Sequence, residues 1–259
     1  MALLASNFSP LRNGENRLLP SQSTGGVPLR QHCLGARVAT SGADASSRDF
    51  SGRRICFAAG TKIATPLGSR LIEELSIGDF VQTLDGGAQP VLWVGSGSQL
   101  TAGYSAQVRL AKGVLGAVRD FWVHGQQLML FRDVAAELLF GDAEVLIAAQ
   151  DLLGLQGVTQ DRLPRITRYF HLLLPQHDLV SADGVISESM HPGPDVLQGL
   201  PARALADLRG TVSERQLSRL CLQPAARRIL MPHQARVLLA MLHQGDASSR
   251  IDVLLGLVA

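Results

Sequence analysis

Lysine is nearly missing from this 259-residue chain. Lys62 and Lys112 are the two, and every other base is arginine. That bias reads as genome composition and marks no site. Cysteine is scarce too. Cys33, Cys56 and Cys221 are three in number and far apart, which excludes a disulfide framework. No cysteine or histidine pair has zinc-finger or H-x₃-H spacing, so no metal and no cofactor is expected. No apolar run reaches the length of a membrane span; Val145 to Ala149 and Val237 to Leu242 read as core segments. The N-terminal MALLASNFSPLRNG has no sustained apolar stretch and no evident cleavage site, which predicts no Sec signal. A cytoplasmic protein, or one exported without a cleaved Sec signal, is expected. Internal repeats are absent.

A net charge of +2 argues against a dedicated nucleic-acid binder. The charge is unevenly spread. Residues 1–54 balance at +4, residues 55–194 at −5 and residues 195–259 at +3. Arg227, Arg228 and Arg236 of the basic tail could meet an acidic surface, the central block included. Apolar residues are 46% of the chain, enough for a sizeable core.

Three segments follow. Residues 1–54 are rich in Ser, Gly, Asn and Arg without period, and predict a disordered or loosely attached arm. Residues 55–194 carry short apolar segments between turn signals. Strands are expected at Thr61 to Thr65, Asp79 to Leu84, Gln89 to Val94, Ala106 to Leu110, Phe121 to Phe131 and Arg165 to Leu174. Asp85-Gly86-Gly87 and Asp183-Gly184 read as hairpin turns. Arg70 to Leu75 and Arg132 to Phe140 are weakly helical, and Glu144 to Leu153 reads equally as strand or helix. Residues 195–259 switch to i, i+3, i+4 spacing at Pro201 to Leu208, Ser213 to Leu220 and Pro232 to His243, a helical tail.

Cys56 sits where the composition changes, in Ile55-Cys56-Phe57-Ala58-Ala59-Gly60-Thr61-Lys62-Ile63-Ala64-Thr65. Further on come Leu71-Ile72-Glu73-Glu74-Leu75, Ile77-Gly78-Asp79-Phe80-Val81 and Pro90-Val91-Leu92-Trp93-Val94-Gly95. Tyr169-Phe170-His171-Leu172 with His177, Ala182-Asp183-Gly184 and Glu188-Ser189-Met190-His191-Pro192-Gly193 complete the series. In order, over about 140 residues, these resemble the motifs of the bacterial Hint domain. That is the fold shared by inteins and hedgehog autoprocessing domains. The resemblance implies a mainly β, Hint-type domain of short twisted strands and hairpins, followed here by the helical tail.

The resemblance also implies that Cys56 is a nucleophile. A thiol next to the Ile55 carbonyl can close a five-membered ring on it and exchange the amide for a thioester. The substrate is then the chain's own N-terminal segment. Water or an unknown nucleophile is the acceptor, and residues 1–55 are released. The bland reading of Cys56 is a buried apolar side chain.

In the family a T/S-x-x-H motif supplies the proton donor. Here Val123-His124-Gly125-Gln126-Gln127 puts His124 at the Thr position and Gln127 at the His position. Gln127 cannot transfer a proton near neutral pH. Lacking a general acid slows such reactions by roughly 10²–10⁴-fold, so the domain is expected to be slow or inactive. His124 is read either as a functional group or as a surface residue beside Gly125. His177 aligns with a late family histidine and otherwise reads as a capping or solvated turn residue. His171, in a run of leucines, reads as a buried imidazole satisfied by a backbone carbonyl. The place of the terminal asparagine of inteins holds Glu188-Ser189, which removes full splicing. The alternative function is a non-catalytic Hint-fold interaction or secretion-associated module.

Overall fold

The computed structural model describes residues 54–102, 106–161 and 163–247. The arm expected over residues 1–54 lies outside them except for Arg54, and so does Cys33. In chain order the strands of the first part are β1 (Phe57–Ala58), β2 (Lys62–Thr65), β3 (Gly68–Leu71), β4 (Phe80–Gln82), β5 (Ala88–Pro90), β6 (Trp93–Thr101), β7 (Gln107–Leu110), β8 (Phe121–His124) and β9 (Leu128–Arg132). Helix α1 (Val134–Phe140) follows, then β10 (Glu144–Ala148), β11 (Val158–Gln160), β12 (Arg165–Leu173), β13 (Leu179–Ala182) and β14 (Val185–Glu188). The last part holds α2 (Pro194–Gly199), α3 (Ala202–Thr211), α4 (Glu214–Cys221), β15 (Arg228–Ile229) and α5 (Pro232–Ala247). The chain is thus mainly β up to its helical tail, as expected.

Among the described residues the strands form two large sheets and a ribbon. One sheet runs β11-β7-β8-β1-β12-β6, the other β15-β10-β9-β14-β13-β2-β3, and β4 pairs with β5. The Asp183-Gly184 turn joins β13 to β14 with positive φ at both residues, 49° and 88°. That is the backbone of a tight two-residue hairpin, and it explains the Asp-Gly pair. Helix α1 begins where the Asp133 carboxylate accepts from the Ala135 amide at 2.8 Å and ends at Gly141, φ 78°.

Three segments depart from the sequence reading. Arg70 to Leu75 splits into the end of β3 and a single 3₁₀ turn, Ile72–Glu74. Glu144 to Leu153 resolves as β10 and a 3₁₀ turn over Ala149–Leu152. Phe121 to Phe131 is broken into β8 in one sheet and β9 in the other. The break falls at Gly125. The Gln127 amide turns back to the His124 carbonyl at 3.0 Å, and the Gln150 amide donates to the Gly125 carbonyl at 2.8 Å. A Cβ on Gly125 would meet the Gln150 side chain at 3.2 Å. Glycine there lets the chain cross between sheets.

The tail is tied to the body by charge as well as by packing. The Arg227 guanidinium bonds Asp85 at 2.9 Å and Glu144 at 2.6 Å, holding both carboxyls below the usual carboxylate range. Arg228 lies 3.5 Å from Asp142. The basic tail therefore meets the acidic central block at these residues.

β1 has two residues and cannot hold itself. It lies between β8 and β12, with Phe57 opposite both Val123 and Phe170. These three side chains enter the main core. Burying Phe57 stabilises that seat by about 2–3 kcal/mol. Because side chains alternate along a strand, Cys56, the next residue back, faces the other way, where it packs with Ala58 and Tyr169. The register continued by one residue puts it opposite His124 of β8 and His171 of β12.

Candidate active site

Ile55 and Cys56 are 1% and 2% exposed. Ile55 packs with Trp93, Leu173 and Met190. The Arg54 amide donates to Gln126 Oε1 at 2.9 Å, and its guanidinium reaches Gln99 Oε1 at 2.5 Å. The segment just before Cys56 is therefore gripped on both sides.

The Ile55 carbonyl oxygen lies 2.7 Å from His171 Nδ1. A carbonyl only accepts, so Nδ1 carries the proton and donates it. Burial lowers the His171 pKa to about 4, with the Ile55 hydrogen bond opposing and Arg54 assisting. The imidazole is neutral at neutral pH. The leucine run around it predicts a backbone carbonyl as its partner, and that carbonyl belongs to the bond preceding Cys56.

His124 stands on the other side, 1% exposed rather than on the surface. Its Nδ1 accepts from the Gln126 amide at 3.2 Å, which leaves the proton on Nε2. Nε2 is buried and has no hydrogen-bond partner among the described residues. The ring meets Tyr169 edge-on, with centroids 5.6 Å apart. Burial, then Arg54 and His171, lower its pKa to about 4. Cys56 packs with Ala58 and Tyr169. Burial pushes its thiol well above the ordinary value, partly offset by Arg54.

Gln127 and His177 belong to a different cluster. Gln127 is wholly buried, and its amide donates to Ser187 Oγ at 2.8 Å and to the Glu188 carbonyl at 2.9 Å. His177 Nδ1 accepts from the Ala226 amide at 3.0 Å, while Nε2 sits 3.4 Å from Glu188 Oε2. Its ring lies 5.0 Å from that of His191. Glu188 Oε1 takes the Leu128 amide at 3.0 Å. Among the described residues no hydrogen bond or ring contact joins Gln127 or His177 to Cys56. His171 is the residue that sequence reasoning left out of the site, reading it as a buried structural imidazole. Its signal, a histidine in a strand that pairs with the cysteine segment, required the register between residues over a hundred positions apart.

The two buried imidazoles make a stability prediction. In the unfolded chain each would titrate near 6.5, in the folded chain near 4. Between those values the unfolded state binds more protons, so stability is full above pH 6.5 and falls as the pH drops toward 4. Each histidine contributes up to roughly 3 kcal/mol of loss at the lower end. The urea midpoint, followed by circular dichroism, should drop clearly between pH 7 and pH 5. A flat midpoint across that range would mean that the native imidazoles take up protons freely.

The described strands make a mainly β domain with the Cys56 segment set between β8 and β12 near its start. A family model described as the Hint domain matches residues 55–194, more than half of the sequence, and the chain belongs to the Hint domain family. Solved structures of the same kind are similar to it at low identity. The intein-like domain from Clostridium thermocellum is 17% identical, with 52% of this chain and 99% of that one covered and a TM-score of 0.29. The MchDnaB-1 intein is 13% identical, with 52% and 99% covered and a TM-score of 0.32. The gp41-1 intein is 13% identical, with 51% and 96% covered and a TM-score of 0.34. No curated protein matches the chain.

Proposed function

We propose that this chain cleaves itself before Cys56 by an N–S acyl shift. The division of labour is a leaving segment of residues 1–55, a processing domain that runs to residue 194 and a helical extension from residue 195. The observation that carries the reading is the 2.7 Å contact between His171 Nδ1 and the Ile55 carbonyl oxygen.

The steps balance as follows. The Cys56 sulfur gives up its proton and attacks the Ile55 carbonyl carbon, closing a five-membered ring. Negative charge gathers on the oxygen, where His171 Nδ1–H donates. The carbon–nitrogen bond then breaks as the imidazolium form of His124 delivers its Nε2 proton to the Cys56 nitrogen and is left neutral. The proton given up by the thiol restores the imidazolium, so the net change moves one proton from sulfur to nitrogen. An added thiol or water next takes the acyl group and returns Cys56 to a thiol. Ala58, two residues after Cys56, lines a cleft of about 360 Å³ with Gln107, Trp122, Arg165, Thr167 and Arg168. Gln127 and His177 act here as positioning residues. Gln127 pins the turn that carries His124 to β14, and His177 supports the Glu188 carboxylate that holds the first amide of β9.

His124 takes over the work that Gln127 cannot do. The buried thiol and the low imidazole pKa make the required proton states scarce at neutral pH, so the reaction is slow. That same burial favours the second reading, a Hint-fold module without turnover. Mass spectrometry of the purified chain after incubation with dithiothreitol separates the two. The expected result is a fragment ending at Ile55, growing over hours to days. A chain that stays whole after prolonged exposure supports the module.

A further inference from the structure

The processing reading leaves one buried aromatic unexplained. Trp93 opens β6, is wholly buried and lies opposite Leu173 of β12. Its indole folds back over Gly95. A Cβ on that glycine would sit 2.0 Å from the ring, so Gly95 is the residue that makes room for it. The indole plane lies within 18° of the His171 imidazole, with centroids 6.4 Å apart. Its Nε1 donates to Asp207 Oδ2 at 2.8 Å. Asp207 is on α3, outside the segment that the family model matches. The apolar face of the same extension, through Val196, Leu200, Ala204 and Leu208, closes the cluster that holds Ile55.

We propose that Trp93 and Asp207 are positioning residues for the cleavage, so that the helical extension is a working part of the site. The proposal rests on the reading of Ile55–Cys56 as the bond that breaks. Asp207 fixes the rotation of the indole, and the indole limits the tilt of the imidazole. Nδ1 thereby stays on the Ile55 carbonyl. An imidazole hydrogen bond is directional, and a loosely held ring spends time off the oxygen.

The test uses the full chain with Asp207→Ala, Asp207→Asn and Trp93→Phe. Thiol-induced cleavage is timed by mass spectrometry, and the His171 ring nitrogens are observed by ¹⁵N NMR. Asp207→Ala should slow cleavage about tenfold and shift the Nδ1 resonance toward that of a weaker hydrogen bond. Asp207→Asn, which still offers an amide oxygen to the indole, should recover most of both. Trp93→Phe should lose both. A wild-type rate and a wild-type Nδ1 resonance in Asp207→Ala overturn the proposal while leaving self-cleavage intact. If the unaltered chain does not cleave, the processing reading fails, and the Nδ1 resonance alone decides whether the extension positions His171.

Discussion

Cys56→Ala is expected to remain a single chain through thiol treatment that splits the unaltered protein. No other side chain can form the five-membered ring with the Ile55 carbonyl, so the loss should be complete rather than partial. The fold should survive, because Cys56 is a small buried group beside Ala58 and Tyr169 and the substitution removes only a sulfhydryl. The cost in stability should be near 1 kcal/mol. Matched circular dichroism of both proteins would show that absence of cleavage is chemical. The pH profile adds a second signature. The reaction needs sulfur without its proton and His124 able to give one. One requirement grows tenfold per pH unit while the other shrinks tenfold. Between the low imidazole pKa, about 4, and the raised thiol pKa, the two cancel. Where the fold persists and thiol is in excess, the rate should therefore be nearly flat with pH. Fragment release from the Cys56→Ala chain at the same bond would end the proposal.

His171→Leu should slow cleavage by about 10²–10³-fold, the usual result of removing one donor from a developing oxyanion. The same substitution should make the protein less sensitive to acid. It removes one of the two imidazoles that resist protonation in the folded state, so the fall in urea midpoint between pH 7 and pH 5 should shrink by about half. These outcomes point in opposite directions, one a loss and one a gain, which general unfolding cannot imitate. An unchanged cleavage rate in a folded His171→Leu chain would show that the 2.7 Å contact is structural only.

Much of this was legible in residue order. The Asp183-Gly184 turn, the strand β2 and the periodic helices of the tail follow from turn chemistry and apolar spacing. The ordered motifs around Cys56 mark it, by resemblance, as the expected nucleophile position. The donors were not legible. The resemblance puts Gln127 at the family's histidine position, whereas the turn at Gly125 leaves His124 at the end of β8 in one sheet and Gln127 just before β9 of the other. His171 came into view only through the pairing of Phe57 with Phe170. The role of α3 was hidden for the same reason. Trp93 and Asp207 are 114 residues apart, and nothing local joins them. Contacts between distant segments depend on packing, which no window of sequence contains.

The burial of Ile55 separates two events that are easily treated as one. Severing the peptide link would leave the isoleucine still socketed among Trp93, Leu173 and Met190, with the Arg54 amide still bound to Gln126. The detached leader would then stay on as a noncovalent tenant of the domain that cut it. Departure, not scission, would set when the domain presents a new end and an empty hollow to its surroundings.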